Sequence, residues 1–256
     1  MPESCLPATY TAPPGAMRIP AYVWQLNRDY PGAEPDDANL PLSEVWLKTH
    51  DGVTWMGNIY RHPAAPLSGA SVTHLTQVYA QNNIRFVPWC VPTGEDIPRE
   101  AEIATEVLDG LAAAGAPLRL ALDIEVENTP NFWKGTPAQL AELVDRIRQA
   151  YSSAELTLVL YQDVAIGLNT IGPLFDVFST MDYWNDFGTQ PEVQLRGSLQ
   201  RLAPFARPII YGLPGNAPQV ELVRALNWVE TNGGGKAVLW RRGTTSHDNW
   251  DLVASY

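Results

Sequence analysis

Three acidic residues occupy alternate positions in the segment LRLALDIEVEN, residues 118–128. The apolar residues at the start of this segment predict a buried strand. The acids that follow are Asp123, Glu125 and Glu127. Because successive side chains of a strand point to opposite faces, these three carboxylates share one face. The side chains of Asp123 and Glu125 are then roughly 6–7 Å apart.

Two carboxyl groups at this separation resist simultaneous ionisation, so the pKa of one of them is expected to rise. A carboxylic acid that keeps its proton at neutral pH can donate it to a leaving oxygen, while a neighbouring carboxylate stabilises positive charge. Glycoside hydrolysis requires this combination. The alternative is that Asp123 and Glu125 are structural carboxylates that form ion pairs with Arg119 or Arg242.

Eight short apolar segments predict the strands that position these carboxylates. The segments are largely continuous runs of aliphatic and aromatic residues, which is typical of parallel strands covered on both faces. The predicted strands are residues 21–26, 44–49, 85–91, 118–126, 156–161, 175–183, 207–213 and 236–240.

Helical segments lie between most of these strands. Residues 136–151 begin with Thr136 and Pro137, the preferred order of N-cap and first-turn proline. A second helix is predicted over residues 98–115, where acids begin the segment and Gly115 ends it. The remaining predicted helices are residues 71–83, 191–203 and 217–234.

Eight strands with mostly helical connections predict a single α/β domain, a (β/α)8 TIM barrel over residues 19–256. Residues 1–18 form a Pro-rich leader. The first connection, residues 27–43, contains Pro and Asp but little helical periodicity, so an irregular or stunted first helix is expected. A doubly wound open sheet is the alternative, although its Gly-rich phosphate turn is absent after the first strand.

The C-terminal ends of the predicted strands are rich in carboxylates, amides and aromatic rings, and the active sites of TIM barrels lie at these ends. Aromatic faces stack on sugar rings, while carboxylates and amides bind hydroxyl groups, so this inventory favours a carbohydrate ligand. Alternatively, several of the tryptophans cap the barrel core. The second strand ends at Lys48, His50, Asp51 and Trp55. The candidate substrate-binding residues are Trp24, Gln25, Trp89, Glu127, Tyr161, Tyr183, Trp184, Tyr211 and Trp240.

The sequence resembles two families of barrel enzymes. LALDIE resembles the Asp-x-Glu signature on the fourth strand of family-25 glycoside hydrolases, the lysozymes that cut peptidoglycan. The second strand of that family resembles EVWLKTHDG, and its fifth strand resembles LTLVLYQD. Its closing strand resembles VLWRRG together with the later DNWDL. FSTMDYW is similar to the Met-x-Tyr-Asp strand of family-18 chitinases with Asp and Tyr transposed, and Trp240 corresponds to their strand-eight Trp.

Both resemblances imply the same roles for three catalytic residues. Glu125 would protonate the glycosidic oxygen, and Asp123 would orient or stabilise the 2-acetamido group as its carbonyl oxygen attacks the anomeric carbon. This substrate-assisted route needs no enzyme nucleophile. Asp182 would support charge developing on the ring. Tyr161, Tyr183 and Trp240 would position the sugar.

Two other functions are consistent with the sequence. The family-25 first strand carries an Asp, whereas AYVWQLN carries Gln25 and Asn27, which favours a catalytically inactive barrel that binds a glycan or a protein. A metal-dependent enzyme would use clustered carboxylates as hard oxygen ligands. Its ligands would be Asp123, Glu125, Glu127 and Asp182. The four histidines show no ligand spacing, so we expect no metal and no cofactor.

Composition limits the partners of the chain. With 17 basic and 28 acidic residues the net charge is −11, which argues against nucleic acid or an anionic membrane as a partner. A glycan substrate is expected instead, and the oligomeric state is left open. The N-terminal segment has neither a basic region nor an apolar core, so no signal peptide is predicted. We therefore expect the protein to remain in the cytoplasm or to leave by lysis or specialised export.

Overall fold

A closed parallel barrel of eight strands forms the centre of the computed structural model, which describes residues 18–30, 40–125, 132–161 and 167–255. The two-residue strand β3 adds an antiparallel pairing to the end of β2, and β1 pairs with both β2 and β9 to close the barrel. The strands are β1 (Ile19–Val23), β2 (Leu42–Asp51), β3 (Thr54–Trp55), β4 (Arg85–Val91), β5 (Arg119–Asp123), β6 (Glu155–Leu160), β7 (Val177–Met181), β8 (Ile209–Pro214) and β9 (Lys236–Trp240).

Helices surround the barrel and cover its outer face. Those of nine or more residues are α3 (Gly69–Gln81), α4 (Ile97–Ala113), α5 (Pro137–Ala150), α8 (Pro191–Leu202), α9 (Gln219–Trp228) and α10 (His247–Ser255). Single-turn helices are α1 (Leu26–Asp29), α2 (Met56–Ile59), α6 (Leu168–Ile171) and α7 (Trp184–Phe187).

Helix α5 illustrates how local sequence sets these elements. The Thr136 hydroxyl accepts a hydrogen bond from the Gln139 backbone N–H (3.3 Å), and the Gln139 side chain accepts one from the Thr136 N–H (2.9 Å). This reciprocal pair satisfies two backbone donors at the helix start. The buried stripe of α5 consists of Leu140, Leu143, Val144 and Ile147.

Side chains of the strands alternate between the lumen and the layer beneath the helices. On β5, for example, Ala121 and Asp123 point into the lumen, whereas Leu120 and Leu122 pack outward. The lumen is filled by Tyr22, Trp46, Val87, Trp89, Val91, Ala121, Val159, Val177, Met181, Ile210 and Val238. This packed interior leaves space for a ligand only beyond the strand ends.

Strand β2 departs from strict alternation. Its pairing with β4 aligns Lys48 with Trp89 but His50 with Cys90, so one extra residue is inserted on β2 at this point. The insertion is a β-bulge, which changes the face to which the following side chains point. Asp51 is then aligned with Val91, a lumen residue. Lys48 and Asp51 therefore face the same cavity although they are three positions apart.

The structure confirms the predicted (β/α)8 barrel, its eight main strands and the five predicted helices. The predicted stunted first helix is present as the single turn α1, and residues 31–39 of that connection lie outside the described residues. The predicted leader also lies outside them, apart from Arg18. Among the residues described, no helix is both long and apolar enough to cross a bilayer.

Candidate active site

A cavity of about 470 Å³ lies at the C-terminal ends of the strands, where the active sites of TIM barrels are found. Typical small-molecule sites have volumes of about 300–1,000 Å³, so the cavity can hold a sugar. Its lining is aromatic and acidic, with one lysine. The lining residues are Trp24, Gln25, Lys48, Asp51, Tyr60, Trp89, Val91, Asp123, Glu125, Phe132, Tyr161, Met181, Tyr183 and Trp240.

Asp123 is the last residue of β5 and is only 4 % exposed. Its Oδ1 atom has no hydrogen-bond partner among the described residues. Burial, and secondly the negative charge of Glu125, raise the pKa of the Asp123 carboxyl well above its ordinary value of 3.8. Asp123 therefore keeps a proton at a pH where an exposed aspartic acid would lose it.

Glu125 lies two residues beyond Asp123 on the same side of the chain. Ile124 between them is buried in the outer layer, and this fixes the two acids toward the cavity. The Glu125 carbonyl oxygen accepts a hydrogen bond from the Trp133 N–H (2.8 Å), which anchors the chain beyond the strand end. The Glu125 side chain is half-buried, so a ligand in the cavity can reach it.

Aromatic rings surround Trp240 at the centre of the cavity. Tyr183 stacks on it with ring centroids 5.8 Å apart, and Trp24 lies 6.0 Å from it. Trp89 forms the floor of the cavity. Its ring is fixed there because its indole N–H donates to the carbonyl oxygens of Trp46 (2.9 Å) and Val23 (3.2 Å). These fixed rings provide flat apolar surfaces beside the carboxyl pair.

The turn after β1 is held by Asp29, which is fully buried. Its Oδ2 atom accepts hydrogen bonds from the backbone N–H groups of Trp24 (2.8 Å) and Gln25 (3.0 Å). Its Oδ1 atom accepts a bond from the Gly243 N–H (3.2 Å) and lies 3.5 Å from the Arg241 Nε atom. Asp29 thus joins the end of β1 to the loop after β9 and positions Trp24 and Gln25 at the rim of the cavity.

Lys48 places an ammonium group inside the cavity. Its side chain is 7 % exposed, and its Nζ atom lies 2.5 Å from Oδ1 of Asp51. The same Nζ lies 5.3 Å from the ring centroid of Trp89, a distance at which a cation is attracted to an aromatic face. Burial raises the pKa of Asp51, and the Lys48 charge opposes that rise.

Six of the nine candidate substrate-binding residues line the cavity, together with Asp123 and Glu125. The six are Trp24, Gln25, Trp89, Tyr161, Tyr183 and Trp240. Glu127 lies outside the described residues. Lys48, Asp51, Tyr60 and Phe132 also line the cavity but were not predicted as site residues. Lys48 is two positions after the buried Trp46, and this alternation could have identified it.

Three predicted site residues do not line the cavity. Asp182 points outward from β7 and accepts hydrogen bonds from the hydroxyls of Ser198 (2.5 Å) and Thr180. Trp184 and Tyr211 are buried in the outer layer, where they contact other side chains. The reason is alternation: Met181 and Tyr183 take the lumen positions, so Asp182 and Trp184 face the helices.

Trp184 donates its indole N–H to Glu221 (2.8 Å). Tyr211 makes an edge contact with Trp228, with ring centroids 5.8 Å apart. Trp184 therefore ties α7 to α9, and Tyr211 ties β8 to α9.

The two arginines proposed as structural partners of the acids lie elsewhere. Arg119 forms ion pairs with Glu44 (3.0 Å) and Glu155 (2.6 Å). Arg242 lies over the ring of Tyr30, with its guanidinium carbon 3.9 Å from the centroid. The positive charge that acts on Asp123 comes from Lys48 instead.

The four carboxylates proposed as metal ligands are not brought together in the part of the chain that the structure describes. Asp182 points away from the cavity, and Glu127 falls outside the described ranges. Within those ranges, no three His, Cys, Asp or Glu side chains form a group that could hold a metal ion.

Comparison with known proteins identifies the fold but no family. No protein-family profile matches the sequence, and no curated protein matches it significantly. Active domain 2 of a chitinase from Pyrococcus furiosus superposes with a TM-score of 0.62 at 11 % identity, over 96 % of each chain. The spore cortex-lytic enzyme SleL from Bacillus cereus superposes with a TM-score of 0.60 at 11 % identity, over 93 % of this chain and 74 % of the other.

A xylanase and α-amylase inhibitor protein from Scadoxus multiflorus has a similar fold, with a TM-score of 0.52 and 14 % identity over 94 % of this chain and 96 % of that one. The solved structures therefore include enzymes and an inhibitor on the same barrel. They support the chitinase-like resemblance at the level of the fold, whereas the family-25 resemblance is not shown by them.

Proposed function

We propose that this protein is a glycoside hydrolase that cleaves an N-acetylated glycan of the peptidoglycan type. The observation that carries this proposal is the carboxyl pair of Asp123 and Glu125 in a cavity lined by tryptophans. The pair retains one proton because Asp123 is buried and next to a second acid. The proposal is further supported by the chitinase and the cortex-lytic enzyme among the proteins of similar structure.

In this proposal Glu125 is the acid that reaches the glycosidic oxygen. The shared proton lies on Glu125 when it acts, and the negative charge then remains on Asp123. Glu125 gives its proton to the leaving oxygen as the bond from the anomeric carbon to that oxygen breaks. The carbonyl oxygen of the 2-acetamido group forms a new bond to the anomeric carbon, and Asp123 stabilises the positive charge on the acetamido nitrogen.

Water completes the reaction. It attacks the anomeric carbon, the bond to the acetamido oxygen breaks, and the water proton passes to Glu125. The aromatic rings of Trp24 and Trp240 hold the apolar faces of the sugars during both steps, and the buried Trp89 packs against Trp240. Tyr161 and Tyr183, which line the same cavity, contact hydroxyl groups of the ring at the reaction centre.

The alternative is a barrel that binds a glycan or a protein without hydrolysing it. The inhibitor protein from Scadoxus multiflorus, which shares the fold, favours this second function. The absence of an Asp on the first strand favours it as well.

Replacement of Glu125 with Gln tests the proposal. The wild-type protein should release shorter products from chitin-type oligomers or peptidoglycan, and E125Q should lower the rate about 100-fold or more with nearly unchanged binding. Glu95→Gln is the matched control, because Glu95 is exposed outside the cavity and should not affect turnover. A wild-type protein that binds these glycans without turnover would establish the binding function instead.

A further inference from the structure

The cavity contains a cation whose role the proposed mechanism does not explain. Lys48 and Asp51 both face the cavity only because the bulge in β2 shifts the alternation between them. A buried lysine usually carries a substantial desolvation penalty, which must be offset by close partners. Asp51 and the face of Trp89 supply those partners here.

The register of the sheet places this ion pair beside the carboxyl pair. Asp51 is aligned with Val91 across β2 and β4, and Trp89 is aligned with Ala121 across β4 and β5. Val91 lies two positions after Trp89, and Asp123 lies two positions after Ala121, so Val91 and Asp123 are at the same level of the barrel. Asp51, which is aligned with Val91, shares that level. Lys48 lies one level below, at the height of Ala121.

We propose that Lys48 is a positioning residue whose buried ammonium group, fixed by Asp51, keeps one negative charge on the carboxyl pair of Asp123 and Glu125. Without a nearby cation, burial and the charge of Glu125 would together keep Asp123 protonated over a wide pH range. Acid catalysis needs one protonated and one ionised group. Lys48 provides the positive charge that stabilises the ionised carboxylate of the pair.

The charges around Asp123 act in the directions that this role requires. Lys48 lowers the pKa of the Asp123 carboxyl, whereas Asp51 and Glu125 raise it. Electrostatic interactions also link Asp123 to groups on β1, β4 and the loop after β7. The titratable groups that act on Asp123 or respond to its charge are Tyr22, Lys48, Asp51, Cys90, Glu125 and Tyr183.

The catalytic meaning of this inference rests on the proposed function, but the electrostatic effect can be measured without a substrate. Carbon-13 NMR of aspartate labelled at the side-chain carboxyl gives the titration midpoint of Asp123 in the folded protein. D51N should lower this midpoint relative to wild type, because a neighbouring negative charge is removed. The same substitution also removes the titration of Asp51 itself, so the effect of Lys48 can be isolated.

In the D51N background, K48M should raise the midpoint by about one pH unit or more, since an opposite charge nearby is lost. K48R should restore the D51N value because it keeps the charge. K236M is the matched control: Lys236 is exposed at the opposite end of the barrel, and its loss should leave the midpoint unchanged.

The inference is overturned if K48M shifts the midpoint no more than K236M does, or if K48R shifts it as much as K48M does. If K48M does not fold, K48Q in the D51N background replaces it: a higher midpoint than in D51N alone supports the inference, and an unchanged midpoint overturns it. Absence of glycan turnover in the wild-type protein would contradict the proposed function and leave these NMR results valid. If turnover is found, the pH profile of kcat/KM should shift in the same direction as the midpoint.

Discussion

Asp123 and Glu125 differ in their surroundings although they are two residues apart. Asp123 is enclosed beneath the rings of the lumen, and Glu125 is open to the cavity. Glu125 is the more accessible of the two acids, so it is suited to deliver the proton to a glycosidic oxygen in the cavity. Burial alone favours the protonated form of Asp123, and the charge of Lys48 opposes that effect, so Asp123 can carry the negative charge that remains.

Replacing Asp123 with Asn should lower kcat by about 100-fold or more with little change in KM, because Asn cannot carry the negative charge that stabilises the transition state. Steady-state kinetics on an N-acetylated oligomer measures this effect. Asp186→Asn is the control, since Asp186 is exposed on α7 and does not line the cavity. A D123N variant with wild-type kcat would remove Asp123 from the mechanism.

At the same scale, the sequence identified the carboxyl pair because alternation on one strand is a short-range property. It did not distinguish Asp182 from Tyr183 at the end of β7. The predicted segment there, residues 175–183, carries both apolar and polar residues on each face, so its composition does not reveal which residues face inward. Glu127 was predicted from the same alternation as Asp123 and stays a prediction.

Elements were predicted well where continuous apolar runs defined the strands and N-caps defined the helices. The segments 85–91 and 236–240 match β4 and β9 at both ends. The bulge in β2 was not predicted, because it depends on the register between two strands and not on the sequence of either one. Consequently the sequence places Lys48 and Asp51 at the end of a strand but does not identify them as partners in a site.

Asp182 joins β7 to α8 through Ser198, and the burial of its carboxyl makes stability depend on pH. Burial raises the pKa of Asp182 from 3.8 to about 6. The folded state therefore binds the proton more tightly than the unfolded chain. The stabilisation from this group is complete below about pH 4 and is lost as the pH rises through about 6.

The wild-type protein should lose about 3 kcal/mol more unfolding free energy between pH 4 and pH 7 than D182N, since two pKa units correspond to roughly this amount. Urea unfolding at a series of pH values measures the difference between the two proteins. Subtracting the variant cancels the contributions of the other buried acids. Equal pH dependence in both proteins would show that the pKa of Asp182 does not differ between the native and unfolded states.

The whole molecule carries a net charge of −11, which acts on any charged partner. Repulsion between like charges weakens binding to an anionic wall polymer, and salt screens that repulsion. Binding to anionic peptidoglycan should therefore strengthen as NaCl rises from about 0.02 M to about 0.5 M, whereas binding to uncharged chitin should change little. Co-sedimentation with insoluble peptidoglycan or chitin measures the binding to each polymer. If binding to peptidoglycan weakens as salt rises, the prediction is wrong and a local basic surface binds the polymer instead.

The most direct test of the central claim is a crystal structure of E125Q with a bound N-acetylated oligosaccharide. We expect a glycosidic oxygen about 3 Å from the side chain at position 125, with the acetamido group of the adjoining sugar next to Asp123 and its ring against Trp240. A glycan bound with its acetamido group directed away from Asp123, or bound only outside this cavity, would contradict the account.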